Sequence, residues 1–176
     1  MLRAGIISIS TLGARGERDD SSGDKLVEIV EKDLQGQVAR REIISDDVEQ
    51  IQALITLMAD EENLDLILST GGTGIAARDV TPEAVRPLLD KELPGIAEAM
   101  RAETLSKTRL AMLSRAVAGT RGQTLIITLP GSPKGVAECM EVVRSVIPHA
   151  VDLLHGKTAH SHVADSGPGH ASVKPA

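Results

Sequence analysis

Apolar runs and amphipathic stretches alternate along the chain. Ala4 to Ser10 is dense in isoleucine and reads as a buried strand, because a short run apolar on both faces suits a sheet covered on both sides. Leu26, Val27, Ile29, Val30 and Leu34 then recur at helical spacing. They predict a helix with Ser22 as N-cap and Gly36 as its stop. Val38 to Ile44 reads as a second strand, and Ser45 or Asp46 caps a helix that carries Val48, Ile51, Leu54, Ile55 and Met58 on one face. Leu64 to Ser69 is a third strand, which runs directly into Thr70-Gly71-Gly72-Thr73-Gly74. Thr81-Pro82-Glu83 has the form of a helix start, with Thr81 as cap and Pro82 at the first helical position. Leu93-Pro94-Gly95 precedes a helix through Met100 and Leu105, while Leu110 to Ala118 has no clear period. Gln123 to Leu129 reads as a further strand. After Pro130-Gly131-Ser132-Pro133, a helix runs from about Gly135 to Leu154, kinked or divided by Pro148.

Strands that alternate with helices predict an α/β fold: a three-layer α/β/α sandwich around a mostly parallel central sheet. Residues 1–156 form one domain in this reading, and the small, polar, Pro/Gly-containing stretch 157–176 reads as a disordered tail. His160, His162 and His170 fall in that tail, with His155 just before it, and their spacing matches no standard zinc pattern.

Composition narrows the function classes. A formal net charge of -6 without a basic stripe argues against a nucleic-acid surface. The apolar stretches are far shorter than the ~20 residues a membrane span needs, and the amino terminus lacks the form of a secretion signal. Cys139 is the single cysteine, so no internal disulfide forms; the expected location is cytoplasmic. The chain has no Phe, Tyr or Trp, so a flat ligand must be held by aliphatic side chains, Arg planes and hydrogen bonds.

Ligands in open α/β sheets bind beyond the carboxyl ends of the strands. Three loops leave predicted strands there: Ser10 to Gly23, Thr70 to Asp79, and Pro130 to Lys134. In the central one, Gly71, Gly72 and Gly74 permit positive φ and close approach of an anion to successive backbone N–H groups. Thr70 and Thr73 add hydroxyls. The loop lacks the Gly-Lys-Ser/Thr of a Walker A motif and the spacing of the dinucleotide fingerprint. A tight strand-to-helix turn is the plain alternative to a phosphate cradle. Asp79 follows five residues after Gly74, and a carboxylate beside a polyphosphate calls for a bridging cation such as Mg²⁺. Asp46 is a second metal candidate, although a helix N-cap would account for it equally. Asp20 is a third acid, in the first loop, where Ser10 stands at the end of strand one. Pro130, Gly131, Ser132 and Pro133 make a rigid wall in which Ser132 can donate to a ligand, and Lys134 could meet an anion. Arg15, Arg78 and Arg115 could pair with phosphates or form surface ion pairs.

Taken together, these residues resemble the MogA/MoaB family of molybdenum-cofactor biosynthesis proteins, whose domain also occurs in gephyrin. The resemblance covers roughly residues 4 to 155. It is carried by Leu66 to Gly74 with Asp79-Val80-Thr81-Pro82-Glu83, and by Asp20-Ser21-Ser22-Gly23, Ser45-Asp46-Asp47, Leu93-Pro94-Gly95, Leu113-Ser114-Arg115 and Leu129 to Pro133. It implies a homotrimer that binds molybdopterin, with ATP as co-substrate and Mg²⁺ as cofactor, and contact with other enzymes of that pathway. In the active branch, the molybdopterin phosphate attacks the α-phosphorus of ATP, giving adenylyl-molybdopterin and pyrophosphate. The acids that matter in the family fall on Asp46 and Asp79, here assigned to catalysis and metal binding. Two alternatives are a molybdopterin-binding protein without adenylylation and a nucleotide-binding regulatory module.

Overall fold

A computed structural model describes residues 1–157. Six strands form one sheet in the order β2-β1-β3-β6-β5-β4: β1 (Arg3–Ile9), β2 (Gln37–Ile44), β3 (Leu66–Thr70), β4 (Lys91–Glu92), β5 (Ala118–Arg121) and β6 (Thr124–Leu129). The first four in that spatial order run parallel, and β5 and β4 continue the sheet antiparallel. The mostly parallel sandwich predicted from the alternation is therefore present, with a short antiparallel edge added.

Alternation along the strands divides the core in two. Ala4, Ile6, Leu66, Leu68, Leu125 and Ile127 pack on one face against α2 (Ser21–Glu28), α5 (Pro94–Thr104), α6 (Pro133–Val143) and α7 (Ile147–Leu154). Ile7, Ile9, Ile67 and Ile126 pack on the other against α3 (Val48–Thr56) and α4 (Thr81–Val85). Wider π-type turns extend α2 to Asp33 and α3 to Glu61. A one-turn helix, α1 (Thr11–Ala14), interrupts the loop after β1, and a 3₁₀ segment spans Arg109–Leu113.

Several predicted boundaries move by a residue or two, each for a visible reason. Asp20, not Ser22, caps α2, because its carboxylate reaches Gly23 N at 3.0 Å. Asp47 caps α3 by accepting from Gln50 N at 2.9 Å, which leaves Asp46 outside the helix. Val80 is the cap position of α4, and Thr81 is its first helical residue. The long carboxyl-terminal helix is divided, with Pro148 in the first turn of α7. The aperiodic stretch before Gln123 yields β5, which returns to β6 through a two-residue turn with Gly122 at φ +55. The tail and its three histidines, His160, His162 and His170, lie outside the described residues.

Candidate active site

The carboxyl ends of β1, β3 and β6 open onto one cavity of about 720 Å³. Ser10, Thr70, Gly71, Gly72, Thr73, Gly74, Pro130, Gly131 and Ser132 all line it, as do Asp46 and Asp79; Pro133 does not, nor do Arg15 and Arg115 among the arginines considered for phosphate. The three loops singled out in the sequence thus meet in space.

Local backbone geometry explains the glycines. Gly71 has φ +102 and Gly72 φ +64, in the left-handed region. At Gly71 any side chain would run into the Ile9 carbonyl. The bend is pinned from below: Gly71 N donates to Leu129 O at 3.1 Å, Thr81 Oγ1 donates to Gly71 O at 2.8 Å, and Thr81 N donates to Gly72 O at 3.1 Å. Among the described residues, the N–H groups of Gly72, Thr73 and Gly74 have no protein acceptor. A row of unpaired amides facing a cavity is an anion-binding surface.

Both acids face this bend. Asp46 Oδ2 accepts from Thr11 N at 2.9 Å and from Thr11 Oγ1 at 2.8 Å. Its Oδ1 would stand 3.4 Å from a Cβ built at Gly72. Asp79 Oδ2 accepts from Ala76 N at 2.8 Å and would stand 2.7 Å from a Cβ at Gly74. Each carboxylate therefore has one oxygen fixed by the protein, and among the described residues the other has no partner. Two such carboxylates beside an anion cradle suit Mg²⁺, which takes one or two carboxylates and completes its shell with phosphate oxygens and water. No cluster of three or more His, Cys, Asp or Glu side chains occurs among the described residues, so an all-protein metal cage is absent there.

The third loop has its polar groups largely engaged. Ser132 Oγ caps α6 by accepting from Gly135 N at 3.0 Å, and Thr70 Oγ1 donates to Pro130 O at 2.6 Å. Gly131 brings this loop against the glycine bend, where a Cβ would come 3.3 Å from Gly71 Cα. Arg115 turns away from the phosphate role considered for it. Its backbone N donates to Thr73 O at 2.9 Å, its Nε to Gly74 O at 2.7 Å and its Nη2 to Asp79 O at 2.7 Å, while Nη1 pairs with Glu83. The guanidinium holds the Glu83 carboxyl below the usual carboxylate range. Arg78 and Lys134 line the cavity, whereas Arg15 does not.

Sequence reading passed over Thr11, gave Thr81 only a cap role and did not find the clamp formed by Arg115, since one hydroxyl or one arginine carries no pattern of its own. It also missed the 3₁₀ segment. That segment brings Leu110 and Leu113 to the cavity, and with Leu12, Ile43 and Ile75 they form aliphatic walls for a flat ligand. Cys139 lies in the floor, buried; burial first, then the Glu138 charge, pushes its thiol up to about 11, so it is no thiolate nucleophile near neutral pH.

The family profile described as "Probable molybdopterin binding domain" matches residues 5–149. The chain belongs to this molybdopterin-binding family. A molybdopterin adenylyltransferase from Helicobacter pylori is 40% identical over 156 residues, covering 88% of this chain and 89% of its own. Gephyrin from Dictyostelium discoideum is 41% identical over 166 residues, and the match takes up 23% of that longer protein. Among solved structures, the molybdopterin biosynthesis enzyme MoaB from Thermus thermophilus superposes with a TM-score of 0.83 at 52% identity, over 89% of this chain and 98% of its own. Membership in the molybdopterin-binding family agrees with the resemblance drawn from the motifs. Among the described residues no helix is long and apolar enough to cross a membrane.

Proposed function

We propose that the chain is a molybdopterin adenylyltransferase of molybdenum-cofactor biosynthesis, using ATP and Mg²⁺. The observation that carries this reading is the row of unpaired N–H groups at Gly72, Thr73 and Gly74, flanked by the carboxylates of Asp46 and Asp79. Relatives at 40% identity over most of the chain bear the name of this activity.

The chemistry asks little of the protein beyond placement and charge compensation. An oxygen of the molybdopterin phosphate attacks the α-phosphorus of ATP; the bond from that phosphorus to the bridging oxygen of the β-phosphate breaks, and pyrophosphate leaves. The nucleophile is already ionised, so no general base is needed. The glycine bend holds phosphate oxygens on its free amides. Asp46 and Asp79 supply the oxygens that would hold Mg²⁺ and its water shell. The bound ion offsets phosphate charge, which otherwise repels the two carboxylates. Ser10 and Thr73 add hydroxyls around the phosphates, the Thr70 hydroxyl being taken by the Pro130 carbonyl, and Pro130 to Ser132 form the wall beside the ring systems. Assembly as a homotrimer, contact with other enzymes of the pathway and a cytoplasmic location belong to the same reading.

Purified protein mixed with ATP, Mg²⁺ and molybdopterin should release pyrophosphate. Asp79→Asn should lower that rate by about a hundredfold, the scale of removing one electrostatic stabiliser. It should still fold, since an amide oxygen can keep the bond to Ala76 N. Full turnover in the variant would remove Asp79 from the site. A second reading is a molybdopterin-binding protein without adenylyl transfer; it is favoured by the higher identity to MoaB, whose name specifies no reaction. It predicts no pyrophosphate above the level of Asp79→Asn.

A further inference from the structure

Asp46 and Asp79 reach the glycine bend from different distances. Asp79 belongs to the loop after β3 itself, and that loop fixes its carboxylate through Ala76 N at 2.8 Å. Asp46 comes from further off. It follows β2, and in the sheet β1 lies between β2 and β3. Neighbouring strands stand about 4.8 Å apart, so Asp46 has to reach across the end of β1, a span of roughly 10 Å, to face Gly72. A loop carboxylate extended that far turns among its rotamers unless something holds it.

Thr11 lies in that gap, two residues past the end of β1. The register of the parallel pair sets its place: Ile9 stands opposite Ile44, and the same offset carried on two residues puts Thr11 opposite Asp46. The Thr11 amide donates to Asp46 Oδ2 at 2.9 Å, its hydroxyl donates to the same oxygen at 2.8 Å, and Asp46 N donates back to Thr11 Oγ1 at 3.3 Å. Two donors on one oxygen and a return bond from the backbone fix both the position and the rotation of the carboxylate. With Oδ2 turned to Thr11, Oδ1 is the oxygen toward Gly72.

The Thr11 hydroxyl has no other task. Ser10 caps α1, its Oγ accepting from Gly13 N at 3.1 Å, so the helix does not call on Thr11 for a cap. The charges nearby leave the arrangement open to a cation. Asp20, also in the cavity wall, is compensated by Arg41 at 2.7 Å, whereas among the described residues Asp46 has no cationic partner. Hydroxyl and amide dipoles steady the Asp46 carboxylate without neutralising it. A carboxylate that is oriented but still charged is what a divalent cation requires of its ligand.

We propose that Thr11 is a positioning residue for Mg²⁺: by clamping Oδ2 of Asp46 it holds Oδ1 toward the glycine bend, and without its hydroxyl the ion that bridges Asp46 to ATP is bound more weakly. The assignment rests on the adenylyltransferase reading, which supplies the metal and the nucleotide. Hydrogen-bond partners behind a metal ligand are worth about 10–100-fold in metal affinity. The Thr11 amide stays when the hydroxyl is removed, so the lower end of that range applies.

The test compares Thr11→Val, nearly isosteric, with Thr11→Ser, which keeps the hydroxyl. Thr11 lies outside both halves of the core, so the fold tolerates either change. ATP is titrated into the full chain by calorimetry at a series of Mg²⁺ concentrations, without molybdopterin, with EDTA as the metal-free arm and a thermal melt of each variant. Thr11→Val should need about tenfold more Mg²⁺ for half of the gain in ATP affinity, with its affinity in EDTA equal to the wild type. Thr11→Ser should lie close to the wild type. In an Asp46→Asn background, Thr11→Val should add no further loss, because the charge it positions is gone. An unchanged Mg²⁺ requirement in Thr11→Val overturns the assignment. So does an equal loss of ATP affinity with Mg²⁺ and in EDTA, which marks a merely structural role, or a full additional loss in the Asp46→Asn background. If the wild type itself binds ATP no better with Mg²⁺ than in EDTA, the adenylyltransferase reading falls together with this inference.

Discussion

The loops after β3 and β6 look alike in sequence, yet they do different work. Each follows a buried central strand, each is built from glycine and hydroxyl residues, and each precedes a helix. After β3, the backbone turns left-handed at Gly71 and Gly72, and the amides that follow are left without acceptors between two carboxylates. After β6, the hydroxyl of Ser132 caps α6, a carbonyl accepts from Thr70, and Gly131 presses against Gly71. The first loop keeps its hydrogen-bonding capacity for a ligand; the second uses most of its own to hold the first in shape. Composition cannot separate a cradle from its buttress. What separates them is where each backbone bond goes.

The comparison breaks most decisively at Gly71. Its φ of +102 is unfavourable for any side chain, and the Ile9 carbonyl blocks a Cβ. Gly71→Ala should cost at least about 1–3 kcal/mol in strain alone. It should also displace the amides, so that turnover falls by more than tenfold and ATP–Mg²⁺ affinity falls with it. Urea denaturation and pyrophosphate release measure the two losses. A variant as stable and as active as the wild type would mean that the bend is only a turn.

A smaller and opposite balance is expected at Ser132. Loss of an N-cap costs about 1 kcal/mol. Ser132→Ala should therefore show that loss of stability, with turnover reduced by less than tenfold, well short of the effect of Asp79→Asn. A drop in turnover as large as that of Asp79→Asn, with stability intact, would mean that the hydroxyl serves the ligand more than the helix.

These contrasts mark what was legible in the sequence. The sheet and its layers were, because Ile6 and Ile7, or Leu66 and Ile67, are apolar on both faces, and that pattern leaves few alternatives to a covered parallel sheet. The cavity was legible too, since β1, β3 and β6 each end in a polar, glycine-bearing loop. Cap positions were not: Asp46 and Asp47, or Asp20 and Ser22, are chemically interchangeable until the backbone shows which reaches an open amide. The freeing of Asp46 from a cap is a one-residue shift with a large consequence, because it leaves a carboxylate oxygen for the site. Arg115 was invisible as a clamp, because its partners Thr73, Gly74 and Asp79 are reached through backbone atoms that have no sequence signature.

That clamp supplies the subtlest difference between the two loops, for only the loop after β3 is tied by an ion pair. Arg115 binds Gly74 O and Asp79 O while its guanidinium also faces Glu83, and the two side chains are partly exposed. Exposed pairs contribute little, about 0–1 kcal/mol. Their pH dependence has a definite sign nonetheless. Glu83 is held below its ordinary value of 4.5 by the bond to Arg115, so its contribution is complete above that value and is lost as the pH falls through the lowered folded value. Wild type should therefore melt slightly above Glu83→Gln at neutral pH, and the gap should close only as the buffer is acidified below the ordinary glutamate range. ATP–Mg²⁺ affinity should follow the same course, since the clamped carbonyls belong to the bend. A gap that widens on acidification would mean that Glu83 is not the partner that steadies Arg115, and the bend would then owe its shape to Thr81 and the β6 loop alone.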